Sequence, residues 1–393
     1  MSPPRVLHVF ETWPPIATGY ASRSALIVRH QAEQGIAEPR VLVSSRQHDF
    51  AGQADAPARM LAPSPRERLT RRLRPYDLDV AHLARAVAHE ARDVDIVHGH
   101  FSSGIGRAVA RGAREAGRPF VAEVRFDLAG AAGAQSGRLM TMLEPVLRRR
   151  FEEHLRHADA VVAASHALGR FLVARGLAPA DRLHVIANGA EPVRADPAET
   201  AALRTRLGLD ADAAQAGPVI GTTSAMLAYE GLDRLVEAAA RVPGATLLMV
   251  GDGPERSRLE AHAKAAGVRA IFTGAVPRAA VPAHLALIDV FGVPRRSLSV
   301  TRYASPLKVA EAMAAGRAIV AADVGDIADM LADGRGVVVP PDAPDAFAAA
   351  VAELGADPGA RERLGRAARA HAESDMTWAA RIAGYRAVYA GLA

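Results

Sequence analysis

The feature that most constrains this chain is an alternation. Short, near-continuous apolar runs recur along its length, and helix-patterned stretches separate most of them. RVLHVF (5–10), PRVLVSS (39–45), VDIVHGH (94–100), FVAEVR (120–125), AVVAAS (160–165) and LHVIAN (183–188) read as strands. Strands that are apolar on both faces and joined by helices belong to a parallel sheet covered on both sides. Residues 191–217 are rich in Pro, Ala and Asp and read as a linker with one short helix. The pattern then restarts with PVIGTTS (218–224), ATLLMVG (245–251), AIFTGAV (270–276), VFGVP (290–294), AIVAAD (318–323) and GVVVP (336–340). At 393 residues the chain is also too long for one ordinary core. The fold class is therefore α/β, as two doubly wound domains over 1–190 and 191–376. A terminal amphipathic helix, patterned by Trp378, Tyr385 and Tyr389, is expected over 377–393, packing back toward the first domain. Ligands of such sheets bind beyond the carboxyl ends of the strands, and two facing domains suggest a cleft.

Composition removes several classes. There is no cysteine, hence no disulfide framework or thiolate metal site. The start, MSPPRVLHVF, lacks a signal-peptide core, and no apolar run approaches 18 residues. A cytoplasmic protein is expected. The net charge is +5, with arginines clustered at 66–75 and 147–156. Two readings stand for these clusters: a solvated basic face, or peripheral attraction to an anionic membrane or nucleotide. Nucleic acid is not expected, because no aromatics interleave with the arginines.

The basic residues are almost all arginine; the lysines are Lys264 and Lys308 alone. Against that background a surviving lysine is informative. Lys264 lies in EAHAKAAG, a solvated helix face. Lys308 lies in SPLKVAEAMAAG, which reads as a helix start with Ser305 as N-cap and Pro306 at the first helical position. A cation in the first turn opposes the helix dipole unless an anion binds there. Glu311, three residues on, shares its face and is placed to accept ribose hydroxyls. The plain alternative is a Lys308–Glu311 surface pair. Arg295 and Arg296, after the VFGVP run, are close enough in sequence to join a diphosphate site.

Other strand ends carry weaker signals. Gly19, in PPIATGYASRS, falls where the first loop turns into a helix and suits a phosphate. VGDGP (250–254) is a glycine turn. His98 and His100 share a strand face. A zinc pair lacks a third ligand in the sequence, and a substrate contact through His100 is the alternative to packing. Glu123 and Arg125 share the next strand end, as an ion pair or as an acceptor site.

These stretches together resemble the retaining glycosyltransferases of family 4, which have the GT-B fold of two Rossmann-like domains. The resemblance rests on residues 159–192, on GLDRLVEAAARVPGATLLMVGDGPERSRLE (231–260) and, most specifically, on EAMAAGRAIVAADVG (311–325). GYASRS, EVR, YEGLD, VPRR and SPLKVAEAMA are similar to a subgroup encoded beside exosortase and exopolysaccharide clusters. The resemblance implies an acceptor domain followed by a nucleotide-sugar donor domain. It implies Glu311 on the ribose, the Ser305 and Leu307 backbone with Lys308 on the diphosphate, and the 272–277 loop with Val276 lining the base. It puts Gly19 near the phosphates, His100 on the transferred sugar, and Tyr20, Glu123 and Arg125 near the acceptor.

The sequence departs from that pattern at three places. Tyr303 stands where the family has the first carboxylate of its Glu-x7-Glu pair. Ala225 and Glu230 stand where many members have an Arg and a Lys. Lys308, helped by Arg295 or Arg296, is expected to replace the missing cations. The expected activity is transfer from a nucleotide-diphosphate sugar, UDP first among nucleotides, to a glycan, a lipid-linked acceptor or a small molecule. Catalytic roles fall to His100 and Lys308. No cofactor and no metal are expected, because no Asp-x-Asp pair ends a strand. A sugar-nucleotide epimerase of the same architecture and a catalytically silent nucleotide-sugar-binding partner remain as alternatives.

Overall fold

The computed structural model describes residues 2–14, 16, 19–47, 58–70, 78–101, 105–125, 149, 152–210 and 217–392. The chain divides into two compact units. One comprises Met1–Asn188 with Trp378–Ala393, and the other Gly189–Thr377. Among the described residues no helix is long and apolar enough to cross a membrane.

The first unit is built on a parallel sheet of seven described strands in the order β3-β2-β1-β4-β5-β6-β7. These are β1 (Arg5–Phe10), β2 (Glu38–Val43), β3 (Ala58–Met60), β4 (Ile96–Phe101), β5 (Phe120–Val124), β6 (Ala160–Ala163) and β7 (Leu183–Val185). Order reverses between β1 and β4, the switch point of a doubly wound sheet. The register sets His8 opposite His98, and His100 opposite Glu123. Helix α1 (Gly19–Glu33) follows β1 and starts at the glycine the sequence marks. The tail is two short helices, Trp378–Ala383 and, further on, Tyr385–Ala390. They are separated at Gly384, where one continuous helix was expected. Trp378, Ile382, Tyr385, Val388 and Tyr389 are buried, and the Trp378–Ala383 helix packs on α1.

The second unit carries a parallel sheet of six described strands in the order β10-β9-β8-β11-β12-β13. Its strands are β8 (Val219–Thr223), β9 (Thr246–Val250), β10 (Arg269–Phe272), β11 (Val290–Val293), β12 (Ala318–Ala322) and β13 (Val337–Val339). The near-complete burial of β8, β9, β11 and β12 matches their continuous apolar sequence, and the two edge strands, β10 and β13, are only partly buried. Helix α2 (Leu232–Ala240) leaves the β8 loop, and α3 (Leu307–Ala314) precedes β12. The cap of α3 corrects the sequence reading. Pro306 is the N-cap, without a side-chain cap bond, and the helix starts one residue later than expected, at Leu307. The Ser305 hydroxyl instead faces the Met330 sulfur at 3.9 Å.

Candidate functional site

In the second unit the chemistry-bearing residues gather at the carboxyl ends of β8 and β11, beside the switch point. The loop after β8 ends in Glu230 and Gly231, and β11 runs directly into Arg295 and Arg296. Gly231 has a φ of +66°, and a Cβ there would overlap the Pro294 carbonyl oxygen. The Arg296 N–H donates to the Tyr229 carbonyl at 3.0 Å. The two loops are thereby clamped together with the Glu230 carboxylate turned inward.

That carboxylate holds two cations. Lys308 Nζ donates to Oε2 at 2.7 Å, and Arg295 donates to Oε1 at 2.8 Å and to Oε2 at 3.3 Å. All three side chains are nearly buried. Burial pushes the Glu230 carboxyl up, but Lys308 and Arg295 outweigh it and hold the group at about 2. Burial lowers the Lys308 ammonium, and Glu230 draws it back. Lys308 also reaches the Ser224 hydroxyl at 3.3 Å. So Lys308 does not form the surface pair with Glu311 that was the plain alternative; it pairs with Glu230. Among the described residues, the half-buried Glu311 carboxylate accepts no hydrogen bond. Burial raises its pKa, against the pull of Arg278 and Lys308. Arg296, expected at the phosphates, is instead paired with Asp233. Val276, expected at the base, is partly buried and packs against the core of the second unit.

The first unit contains a buried polar network at the ends of β1, β4 and β5. Arg125 donates to His100 Nδ1 at 3.0 Å, and a guanidinium can only donate. His100 Nε2–H therefore donates to His8 Nδ1 at 2.9 Å, and His8 Nε2–H to Gln31 Oε1 at 3.0 Å. Gln31 donates to the Tyr389 hydroxyl, which donates to His98 Nδ1 at 2.8 Å. The chain returns toward Glu123, whose Oε2 is 3.7 Å from His98 Nε2. Glu123 also accepts from Arg23 at 3.1 Å, from Arg125 at 3.0 Å and from Tyr385. Burial pushes Glu123 up, but Arg23, His100 and Arg125 bring it well below the usual carboxylate range. Burial drives all three histidines down, His100 to about 4, so they are neutral at pH 7.

Ring nitrogens of His8, His98 and His100 lie within 4.8 Å of one another, and by residue type they are a metal-ligand set. His8 supplies the third histidine that the sequence did not reveal. However, His8 and His100 already share a proton. The single negative charge of Glu123 is also shared between two guanidinium groups, so a dication would meet net positive charge. The cluster fits a hydrogen-bond network better than a metal centre.

The remaining sequence-marked residues are placed as follows. Gly19 begins α1, exposed, and Tyr20 is half-buried. The Tyr20 hydroxyl donates to the His100 carbonyl at 2.7 Å, and the Arg125 guanidinium lies 4.3 Å over its ring. His100, expected on a sugar, and Glu123, expected at an acceptor, are fully buried with their polar atoms engaged inside the network. Neither turns a polar atom to solvent. Their closeness to the strand ends makes them supports for Tyr20 and Arg125. Arg23, Gln31 and Tyr389 complete the network and were not singled out for a site role in the sequence. Residues 71–75 of the first arginine cluster, residues 147, 148, 150 and 151 of the second, and residues 102–104 of HGHFSSG lie outside the described residues.

Two doubly wound parallel sheets of this kind are the two halves of the GT-B fold. Comparison with known proteins agrees. Residues 6–194 match the family model described as Glycosyltransferase Family 4, and residues 217–357 match that described as Glycosyl transferases group 1. The chain has the GT-B fold, and its two halves are each similar to one of these glycosyltransferase domain families. It is 32% identical to a GDP-mannose-dependent alpha-(1-6)-phosphatidylinositol monomannoside mannosyltransferase of Mycolicibacterium smegmatis, over 60% of this chain and 63% of that one. It is 33% identical to a 2-deoxystreptamine glucosyltransferase of Streptomyces kanamyceticus, over 44% of this chain and 45% of that one. The matched stretches thus span between 45% and 63% of those relatives' lengths. Anabaena HepE, solved in complex with UDP-glucose, superposes with a TM-score of 0.76 over 99% of this chain and 100% of that one, at 19% identity.

Proposed function

We propose that this protein is a retaining, metal-independent glycosyltransferase. It would move a sugar from a nucleoside-diphosphate sugar to a hydroxyl of a glycan, a lipid-linked acceptor or a small molecule. UDP is the nucleotide to test first, alongside the GDP carried in the name of the mannosyltransferase relative. The observation that carries the reading is the surrounding of Glu311. A half-buried carboxylate without a hydrogen-bond donor sits next to the buried Lys308 ammonium, on a helix that starts at the sheet's ligand-binding end. Such an arrangement favours a ligand with vicinal hydroxyls next to phosphate. In this reading Lys308 and Arg295 steady the leaving diphosphate as charge develops on it. The leaving phosphate assists deprotonation of the acceptor, and no protein nucleophile is used. The α1 start at Gly19, with Tyr20 and Arg125, serves the acceptor side. His100 acts through the network that holds them. Peripheral binding to anionic lipid through the arginine clusters is part of the proposal. Retention of binding to anionic vesicles after Arg71 and Arg72 are neutralised would remove that part.

The test compares UDP with 2′-deoxy-UDP by calorimetry. Wild type should bind the deoxy form about tenfold more weakly, one charge-assisted hydrogen bond lost. Glu311→Gln should narrow that difference. Equal affinities in wild type would contradict the ribose assignment.

A further inference from the structure

The donor-site cations of this chain are held by an internal anion, and that arrangement has a consequence for which ligand the site prefers. Resting on the donor-site reading above, we propose that Glu230 is a specificity-determining residue. It biases the site toward the sugar-linked nucleoside diphosphate and against the free nucleoside diphosphate, so that product leaves readily.

Three observations carry this. First, the charge count: Lys308 and Arg295 face one carboxylate, leaving the triad at +1 rather than +2. Second, the carboxylate is fixed. Both of its oxygens are engaged, Gly231 permits the turn that aims it, and the Tyr229–Arg296 backbone bond clamps its loop to the exit of β11. It therefore does not behave as a stand-in that swings away when phosphate arrives. Third, all three groups are nearly buried, where charge–charge effects are felt more strongly than in water.

A nucleoside diphosphate sugar carries two negative charges on its diphosphate. The free nucleoside diphosphate carries a third on its terminal phosphate near neutral pH. A fixed anion behind the cations repels that third charge, so it penalises the product more than the donor. The same carboxylate also holds Lys308 and Arg295 in place. Direct loss of positioning and loss of charge discrimination are therefore separable. Positioning affects both ligands alike, whereas discrimination changes their ratio.

The test measures the dissociation constants of UDP and UDP-glucose, and of GDP and GDP-mannose, by calorimetry on wild type, Glu230→Gln and Lys308→Met. Glutamine keeps the shape and an acceptor oxygen while removing the charge. The ratio of the free-nucleotide constant to the sugar-nucleotide constant should fall about tenfold in Glu230→Gln, the scale of one added charge a few ångströms beyond the cations. It should rise in Lys308→Met, which removes a positive charge and keeps the proposal testable if the glutamine variant folds poorly. Equal shifts for both ligands, or an unchanged ratio in Glu230→Gln, would overturn the inference and leave the donor site standing. No binding of either pair by wild type would overturn the donor reading itself, and the inference with it.

Discussion

Acidification should unfold the first unit well above the pH at which carboxylates titrate. His8, His98, His100 and His154 are all buried there, and burial lowers each below its ordinary value, His100 to about 4 and His154 to about 3. The charged groups facing the first three are Glu123, Arg23 and Arg125, and the attraction of Glu123 does not overcome burial. The sign follows from linkage. Each folded-state pKa is depressed, so the unfolded chain binds more protons below about pH 6.5. The stabilisation is complete above the unfolded value and is lost as pH falls toward the folded one. Between pH 7.5 and 5.5 each group forfeits on the order of 1 kcal/mol, and the four together about 5 kcal/mol. That approaches the whole stability of an ordinary domain, about 5–15 kcal/mol. The assay is urea unfolding followed by tryptophan fluorescence at half-unit pH steps. The chain has two tryptophans, Trp13 and Trp378, and both are buried in the first unit, so the signal reports that unit alone. At pH 5.5 the slope should correspond to between three and four protons taken up on unfolding, roughly 5 kcal/mol per pH unit. A midpoint that stays flat from pH 7.5 to 5.5 would refute the reasoning.

Other perturbations follow from the same contacts. Glu123→Gln leaves Arg23 and Arg125 without their buried counter-charge and should cost about 3–5 kcal/mol, read by the same tryptophan signal. Tyr389→Phe breaks the link between Gln31 and His98 and should cost about 1–3 kcal/mol for the polar groups left unsatisfied; a neutral result would mean that water or a rearranged Gln31 replaces the hydroxyl. Gly231→Ala meets both a positive φ and the Pro294 carbonyl, so it should abolish nucleotide binding or folding of the second unit. Wild-type-like binding in that variant would show that the loop clamp is not needed.

Much of the fold is legible in the sequence because strands of a covered parallel sheet must be apolar on both faces. Twelve apolar runs mark strands β1, β2 and β4–β13. The missing one, β3, is the three-residue ARM, partly exposed and with no apolar run to betray it. The site is legible only by halves. Glycine, lysine and glutamate at strand ends mark the candidate site, yet the partners that decide what those residues do are distant in sequence. His8 meets His100 across 92 positions because β1 lies beside β4. Glu230 meets Lys308 across 78. Read along the chain, Glu230 is only a missing cation; in space it is the group that gathers two others. The α3 cap fails for a smaller reason. Ser305 precedes a proline, and the first helical residue shifts by one.

The central claim is a nucleotide-diphosphate site built on Lys308. Its most direct test is a thermal-shift series with UDP, GDP, ADP and dTDP and their common sugars, on wild type and Lys308→Ala. A ligand at about 100 times its dissociation constant adds about 2.7 kcal/mol of apparent stability. One nucleotide class should raise the wild-type midpoint, and most of that rise should vanish in Lys308→Ala. No response from wild type to any of them, or an equal rise in the variant, would contradict the claim.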